Sequence, residues 1–247
     1  MTMQRVLIFS DCHRSHHDEK AWALLLKVVA GWKPHVIVNL GDYLDCGALS
    51  RFGRVHGRQE SLQRDVISGK AGLAELRQAA PKARMLYCEG NHEAWLPRYL
   101  ANVAEALDLQ GITIPDVLGL EKLKIEWVPY RDFARVGKLI VTHDLERSGK
   151  YAGIQTLEIA QHPIAFGHTH SMSASYRGDA FGTRHVALNT GWLGDVEQIS
   201  YRHRISARTS HQLGFGVAQI DENGVAWCEP IPIVAYRCVL GRTLYTL

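Results

Sequence analysis

The chain has 247 residues, 46% of them hydrophobic, and its 28 Lys and Arg nearly balance 25 Asp and Glu for a formal net charge of +3. A chain of this length can bury a substantial core and suits one α/β domain, while so small a charge is weak ground for a polyanionic partner. No run is long and apolar enough for a membrane span or shaped like a cleavable leader, and the five cysteines lack C-x-x-C spacing; a single domain over 1–247 in a reducing cytoplasm, away from membranes, is expected.

In chain order, Arg5–Ser10 reads as a buried strand that ends at Asp11-Cys12-His13. Glu19–Trp32 reads as a helix with Trp22, Leu25, Leu26 and Val29 on one face. A second strand, His35–Leu40, ends at Gly41-Asp42-Tyr43-Leu44-Asp45. Residues 45–81 form a longer excursion, Gly-rich and then helical from about Glu60, and are a candidate cap or lid. A third strand, Arg84–Cys88, delivers Gly90-Asn91-His92-Glu93 and a helix from Glu93 to about Leu107. Gly111–Leu120 reads as loop and Lys124–Val128 as strand. Lys138–Thr142 leads to His143-Asp144, a helix spans about Tyr151 to Gln161, and the strand Ile164–Phe166 runs into Gly167-His168-Thr169-His170. Residues 171–212, with a strand at His185–Asn189, are a candidate substrate-facing segment. Gly214–Ile220 and Val225–Ile233 then pair as a hairpin through Asp221-Glu222-Asn223-Gly224, where Asn-Gly suits the positive φ of a tight turn.

Five clusters of metal-ligand residues therefore follow strands. In an open α/β sheet the loops after the carboxyl ends of strands share one crevice, where such folds bind ligands. Carboxylates, a carboxamide and imidazoles gathered there form a hard, mixed oxygen and nitrogen cage. Two divalent ions roughly 3.5–4 Å apart need a shared anionic ligand, and a carboxylate has two oxygens to offer. Asp42 is the candidate bridge, with Asp11, His13 and His170 on one ion and Asn91, His143 and His168 on the other. Manganese leads among the ions such donors suit, with Fe, Zn, Ni or Mg as alternatives. Singly, each residue has a plainer reading: Asp11 and Asp42 could cap helices, and a histidine after a strand is more often structural than a ligand.

Together these motifs resemble the calcineurin-like metallophosphoesterase superfamily, whose D-x-H, G-D-x-x-D, G-N-H-E/D, lone H and G-H-x-H appear here in order from Asp11 to His170. The resemblance implies an α/β fold, a four-layer α/β/β/α sandwich of two mixed sheets, with a dinuclear site at the strand carboxyl ends. It implies hydrolysis of a phosphoester by a metal-bridging hydroxide, without a covalent enzyme intermediate. It also implies that His92 faces the leaving group rather than a metal, with Asp45 as the carboxylate that orients it. Glu93 reads as a helix N-terminal or supporting residue.

Departures from the family pattern bear on substrate. Gly41-Asp42-Tyr43-Leu44-Asp45-Cys46-Gly47 is similar to the phosphoprotein phosphatase motif, G-D-Y-V-D-R-G, but Cys46 stands where Arg would grip a terminal phosphate. Arg51 or Arg54 could replace it. The G-H-x-H pattern is that of the phosphodiesterase and nuclease branches. Ser200–Gln212 holds Arg202, Arg204 and Arg208 with Tyr201, His203 and His211 and no acid, a mixture that suits a nucleic-acid backbone or a merely solvated loop. Trp192 could wall the pocket or pack, and Cys12 and Cys46 read as bystanders. The expectation is a phosphodiesterase acting on nucleotides or nucleic acid; a phosphomonoesterase and a non-catalytic metal-binding scaffold are the alternatives, and the oligomeric state is open.

Overall fold

The structure is a computed structural model that describes residues 3–50, 60–103, 111–198 and 210–247. Its first strand shows how the layers arise. In β1 (Gln4–Phe9), Leu7 and Phe9 point to one face and Val6 and Ile8 to the other, and all four are buried. A strand covered on both sides reads as a continuous apolar run, because side chains alternate between faces and each face has a layer to meet.

β1 pairs in parallel with β2 (Val36–Asn39), which pairs with β3 (Arg84–Cys88) and then β4 (Ile125–Val128). On the other side β1 pairs antiparallel with β10 (Gly214–Ile220), and β11 (Ala226–Pro232) closes that edge, giving the order β11-β10-β1-β2-β3-β4. The second sheet runs β5-β6-β7-β9-β8, with β5 (Ala134–Val136), β6 (Leu139–Val141), β7 (Ile164–Phe166), β8 (Met172–Gly178) and β9 (Arg184–Thr190). β6, β7 and β9 are parallel, and β5 and β8 are antiparallel edges, so both sheets are mixed.

Three apolar clusters mark four layers. Val6, Ile8, Val38 and Leu86 of the first sheet meet Leu139, Val141, Ala165 and Leu188 of the second. The outer face of the first sheet, with Leu7, Phe9, Ile37 and Tyr87, packs under α1 (Glu19–Trp32), α2 (Leu62–Ala79) and the end of α3 (Trp95–Val103). Helix α5 (Ala152–Ala160) places Ala152 and Leu157 on Ile140, Ile164 and Phe166 at the outer face of the second sheet. Helix α1 begins where Asp18 accepts hydrogen bonds from the Lys20 and Ala21 amides and ends at Lys33 in the left-handed region. Its buried face is wider than the expected stripe and includes Leu24 and Val28. Each fully buried aliphatic side chain contributes about 1.5–3 kcal/mol, so this face alone anchors the helix.

Gly111–Leu120, expected as loop, contains a short helix, α4 (Ile114–Leu118). Thr113 caps it, Pro115 sits in its first turn and Gly119 ends it at φ 69°. Five residues are too few to show helical periodicity; the caps were the readable signal. The helical part of the 45–81 excursion, α2, lies in the outer layer beside α1, where Trp22 Nε1 donates to Glu75 at 2.8 Å. Residues 51–59 and the end of the helix expected up to Leu107 lie outside the described residues. The stretch from Ile231 to Leu240 alternates: Ile231, Ile233, Cys238 and Leu240 are buried and Val234 and Val239 exposed, where the hairpin β12 (Arg237–Leu240) and β13 (Thr243–Thr246) folds back towards α1. No helix among the described residues is long and apolar enough to cross a membrane.

Candidate metal centre

The loops after β1, β2, β3, β6 and β7 meet at one edge of the sandwich and are stitched to each other by backbone hydrogen bonds. The Asp11 and His13 amides donate to the Gly41 and Asp42 carbonyls at 2.9 and 3.0 Å, and the Gly167 amide donates to the His143 carbonyl at 2.9 Å. Side chains complete the stitching: Asp42 Oδ1 accepts from the His92 amide and Asp11 Oδ2 from the His168 amide, both at 2.9 Å. The close approach explains two glycines. A Cβ on Gly41, which sits at φ 104°, would lie 2.4 Å from the Gly90 nitrogen, and one on Gly90 would lie 2.2 Å from the Asp42 nitrogen.

Five of the residues expected as ligands, Asp11, His13, Asp42, His168 and His170, have φ between 46° and 69°. That region costs a non-glycine residue about 1–2 kcal/mol, and such strain concentrates where geometry serves a site. Here it turns five polar side chains towards one another.

They form two adjacent groups. In the first, His13 Nε2 and His170 Nε2 lie 3.3 Å apart, and His170 Nε2 is 3.3 Å from Asp11 Oδ1. In the second, His143 Nε2 is 3.1 Å from Asn91 Oδ1 and 3.4 Å from Asp42 Oδ2, while His168 Nδ1 is 2.8 Å from the same Asn91 oxygen. Ligand atoms of Asp11, His13 and His170, and likewise of Asp42, His143 and His168, all lie within 4.8 Å of one another. Two imidazole nitrogens face each other beside Asp11 Oδ1, a buried oxygen that finds no hydrogen-bond donor among the described residues. Such an arrangement of lone pairs fits a divalent cation in each group. Hard oxygen and imidazole donors of this kind suit Mn, Fe, Zn or Ni.

The outer ring nitrogens are also engaged. His143 Nδ1 lies 2.9 Å from the Leu40 carbonyl, so it carries the proton and leaves Nε2 as the donor. His13 Nδ1 faces Asp45 Oδ1 at 3.2 Å and His170 Nδ1 faces His211 Nε2 at 3.3 Å. Electrostatics follow the geometry. Burial would raise the Asp42 carboxyl, but His143 and His92 outweigh it and hold it well below its ordinary range. Asp11 is likewise brought down by His170 against burial. Burial would lower His143, but Asp42 beside it pushes it up to about 10.

His92 stands between the groups, stacked on Trp95 at 4.2 Å and edge-on to His13 at 4.7 Å. Its Nε2 lies 3.8 Å from Asp42 Oδ2. The Asp45 carboxylate, expected to orient it, is 3.9 Å from His92 Nδ1, whereas Asp45's own backbone carbonyl takes that nitrogen at 2.6 Å. The chain reverses at Cys46, φ 48°, which brings the carbonyl to His92 and leaves the carboxylate to His13. The second oxygen of Asp45 lies 3.7 Å from His16 Nε2, which in turn is 3.5 Å from Glu60.

Glu93 is completely buried and is the main support that sequence alone undervalued. Its carboxylate accepts from the amides of Asp42, Tyr43, Leu44 and Gly90 and from the Tyr87 hydroxyl, at 2.8 to 3.0 Å. Burial and the neighbouring Asp42 push Glu93 up to about 7, yet every one of those five partners is a donor, a pattern that only the ionised form satisfies. Its signal in the sequence was position: three residues beyond Gly90, at the start of a helical turn.

Trp192 is 2% exposed and stacks on His170 at 5.0 Å, so its face is given to that imidazole rather than to open space. Cys12 and Cys46 are buried thiols pushed up by burial. Arg51, Arg54, Arg202 and Arg204, like Tyr201, His203 and Arg208, lie outside the described residues.

Several solved structures are similar at low identity. Vacuolar Protein Sorting 29 from Cryptosporidium parvum is 12% identical over 100% of both chains with a TM-score of 0.51, a likeness of fold. Yfce, a phosphoesterase from E. coli, is 15% identical over 88% of each chain at a TM-score of 0.42. The nuclease MPE of Pseudomonas putida is 13% identical, covering 91% of this chain and 87% of its own, at 0.40. No curated protein is significantly similar in sequence. The family model of calcineurin-like phosphoesterases matches residues 4–190, which takes in every motif from Asp11 to His170, and the chain belongs to that family.

Proposed function

We propose that the protein is a metal-dependent phosphoester hydrolase that takes phosphodiesters of nucleotides or nucleic acid. The observation that carries this reading is the convergence of two groups of lone-pair donors, around Asp11 and around Asn91, with His92 between them. Asp11, His13 and His170 would hold one divalent ion, Asn91, His143 and His168 the other, and Asp42 would serve both. Bound there, a pair of ions supplies positive charge to the phosphoryl oxygens and acidifies a water molecule.

The chain's own work is positioning and proton delivery. Water adds to phosphorus as the bond to the leaving oxygen breaks, and that oxygen needs a proton. Burial would lower His92, but Asp42 and Asp45 raise it above its ordinary value. Nδ1–H donates to the Asp45 carbonyl, and Nε2–H is left for the leaving oxygen. After transfer the neutral ring keeps its Nδ1 bond and its stacking on Trp95.

The diester preference rests on what, among the described residues, does not grip phosphate. Cys46 occupies the position of the phosphatase arginine and is buried. Arg14, beside His13, turns to Ser68, with Nε at 3.2 Å from its hydroxyl, and to the face of Trp22 at 4.8 Å. The dianion of a monoester would want a bidentate clamp. The Arg-rich segments at 51–64 and 202–208 support a polyanionic substrate by composition. Turnover of a chromogenic diester and monoester with Mn tests this. A diester preference is expected, and His92→Asn should cost about 10²–10⁴-fold in kcat with metal content unchanged. Two bound ions with no turnover of either substrate would end the enzymatic reading.

A further inference from the structure

The first donor group has an unusual outer partner. His170 Nδ1 lies 3.3 Å from His211 Nε2, and the two rings are edge to face at 4.5 Å. Trp192 braces both, stacked on His170 at 5.0 Å and edge-on to His211 at 4.6 Å. The backbone holds this pairing in register. The Gln212 amide donates to the His170 carbonyl at 2.8 Å and the Trp192 amide to the Gln212 carbonyl at 3.1 Å. Gln212 Oε1 takes the Met172 amide at 2.6 Å, and Ser171 Oγ donates to the Ser210 carbonyl at 3.0 Å. His211 is therefore delivered to His170 by bonds that tie Ser210 and Gln212, on either side of it, to His170, Ser171 and Met172.

Packing alone needs no nitrogen at this place. A ligating imidazole, however, needs an acceptor on its other ring nitrogen, ordinarily a carboxylate, a carbonyl or water. If His170 offers the Nε2 lone pair towards Asp11 and His13, its proton sits on Nδ1, and His211 Nε2 is the atom that faces it.

We propose that His211 is a positioning residue: it accepts the Nδ1 proton of His170, fixes that ring's tautomer and orientation, and so sets the affinity of the Asp11–His13–His170 group for its ion without touching ion or substrate. This rests on the metal-binding reading above.

Two variants and titration with Mn in a calorimeter separate the possibilities. His211→Phe keeps a ring against Trp192 but removes the acceptor; His211→Gln restores an acceptor at similar reach. The wild type should bind two ions, and H211F should weaken one of them by about 10–100-fold, the usual effect of losing an outer partner, while leaving the other unchanged. H211Q should recover most of the loss, and the metal-free Tm of H211F should stay near that of the wild type. Electron paramagnetic resonance at two equivalents of Mn should show less of the spin-coupled pair in H211F than in H211Q. Equal two-site binding in H211F and wild type overturns the inference, as does H211Q binding as poorly as H211F. A wild type that binds no Mn defeats the metal-binding reading itself, and this inference with it.

Discussion

The two halves of the centre are built from similar donors but supported differently. His143 in the second half is oriented by a backbone carbonyl, that of Leu40 at 2.9 Å, and is itself only 1% exposed. Both imidazoles of the first half lean on side chains from elsewhere: His13 on Asp45, 32 residues further on, and His170 on His211, 41 residues further on. A backbone support comes with the fold and cannot be lost by a point substitution. A side-chain support can be tuned or removed while the fold stays. His13 and His170 thus have adjustable supports, and His143 a fixed one.

The largest effect should come from Asp42, which the proposal above assigns to both halves. Asp42→Asn is expected to lose activity by more than the about 100-fold typical of an outer partner, and to drop the metal content below two ions per chain. Metal analysis beside kcat/KM checks this; loss of one ion alone would tie Asp42 to the second half and divide the halves more sharply. Glu93→Gln strikes the frame under both halves. An amide NH₂ would face backbone donors, and leaving buried donors unsatisfied costs about 1–3 kcal/mol each, so a loss of about 3 kcal/mol is expected from the urea midpoint. An unchanged midpoint would show that the loops hold without that carboxylate.

Asp45→Asn should weaken one ion only, by about 10–100-fold in calorimetry, because the carboxylate serves His13 and not His143. Equal weakening of both ions would break the contrast. The smallest and most graded effect is that of pH. His143 is raised to about 10, so in the metal-free protein it is protonated near neutrality, and an ion entering the second half must displace that proton. Uptake at that half should strengthen by up to about tenfold per pH unit and release protons, measurable by calorimetry in buffers of different ionisation enthalpy. The sign reverses for folding without metal. A raised histidine stabilises fully below its unfolded value of about 6.5, and that contribution fades as the pH climbs towards the folded value. The metal-free urea midpoint should therefore fall between neutral and strongly alkaline pH.

Much of the architecture was readable because its signals are local. β3 (Arg84–Cys88), β7 (Ile164–Phe166), β10 (Gly214–Ile220) and α1 (Glu19–Trp32) lie where the apolar runs place them. α4 was missed because one turn has caps but no period, and the edge strand β8 because its face is only partly covered. Within the site, the seven candidate ligands do come to one place. The same pattern could not show which atom of Asp45 meets His92, since carbonyl and carboxylate belong to one residue and only the reversal at Cys46 decides between them. Nor could it distinguish Glu93 from any acid in a first helical turn, or His211 from a solvated histidine.

By itself the order of residues determined most strand runs and the short motifs that end them, and through those motifs the family, because such signals are encoded within a few neighbouring positions. Tertiary structure alone decided the support: that a backbone carbonyl stands behind His143, and side chains behind His13 and His170. Those pairings join residues tens to more than a hundred positions apart, and a hydrogen bond reads distance in space, which no local pattern records.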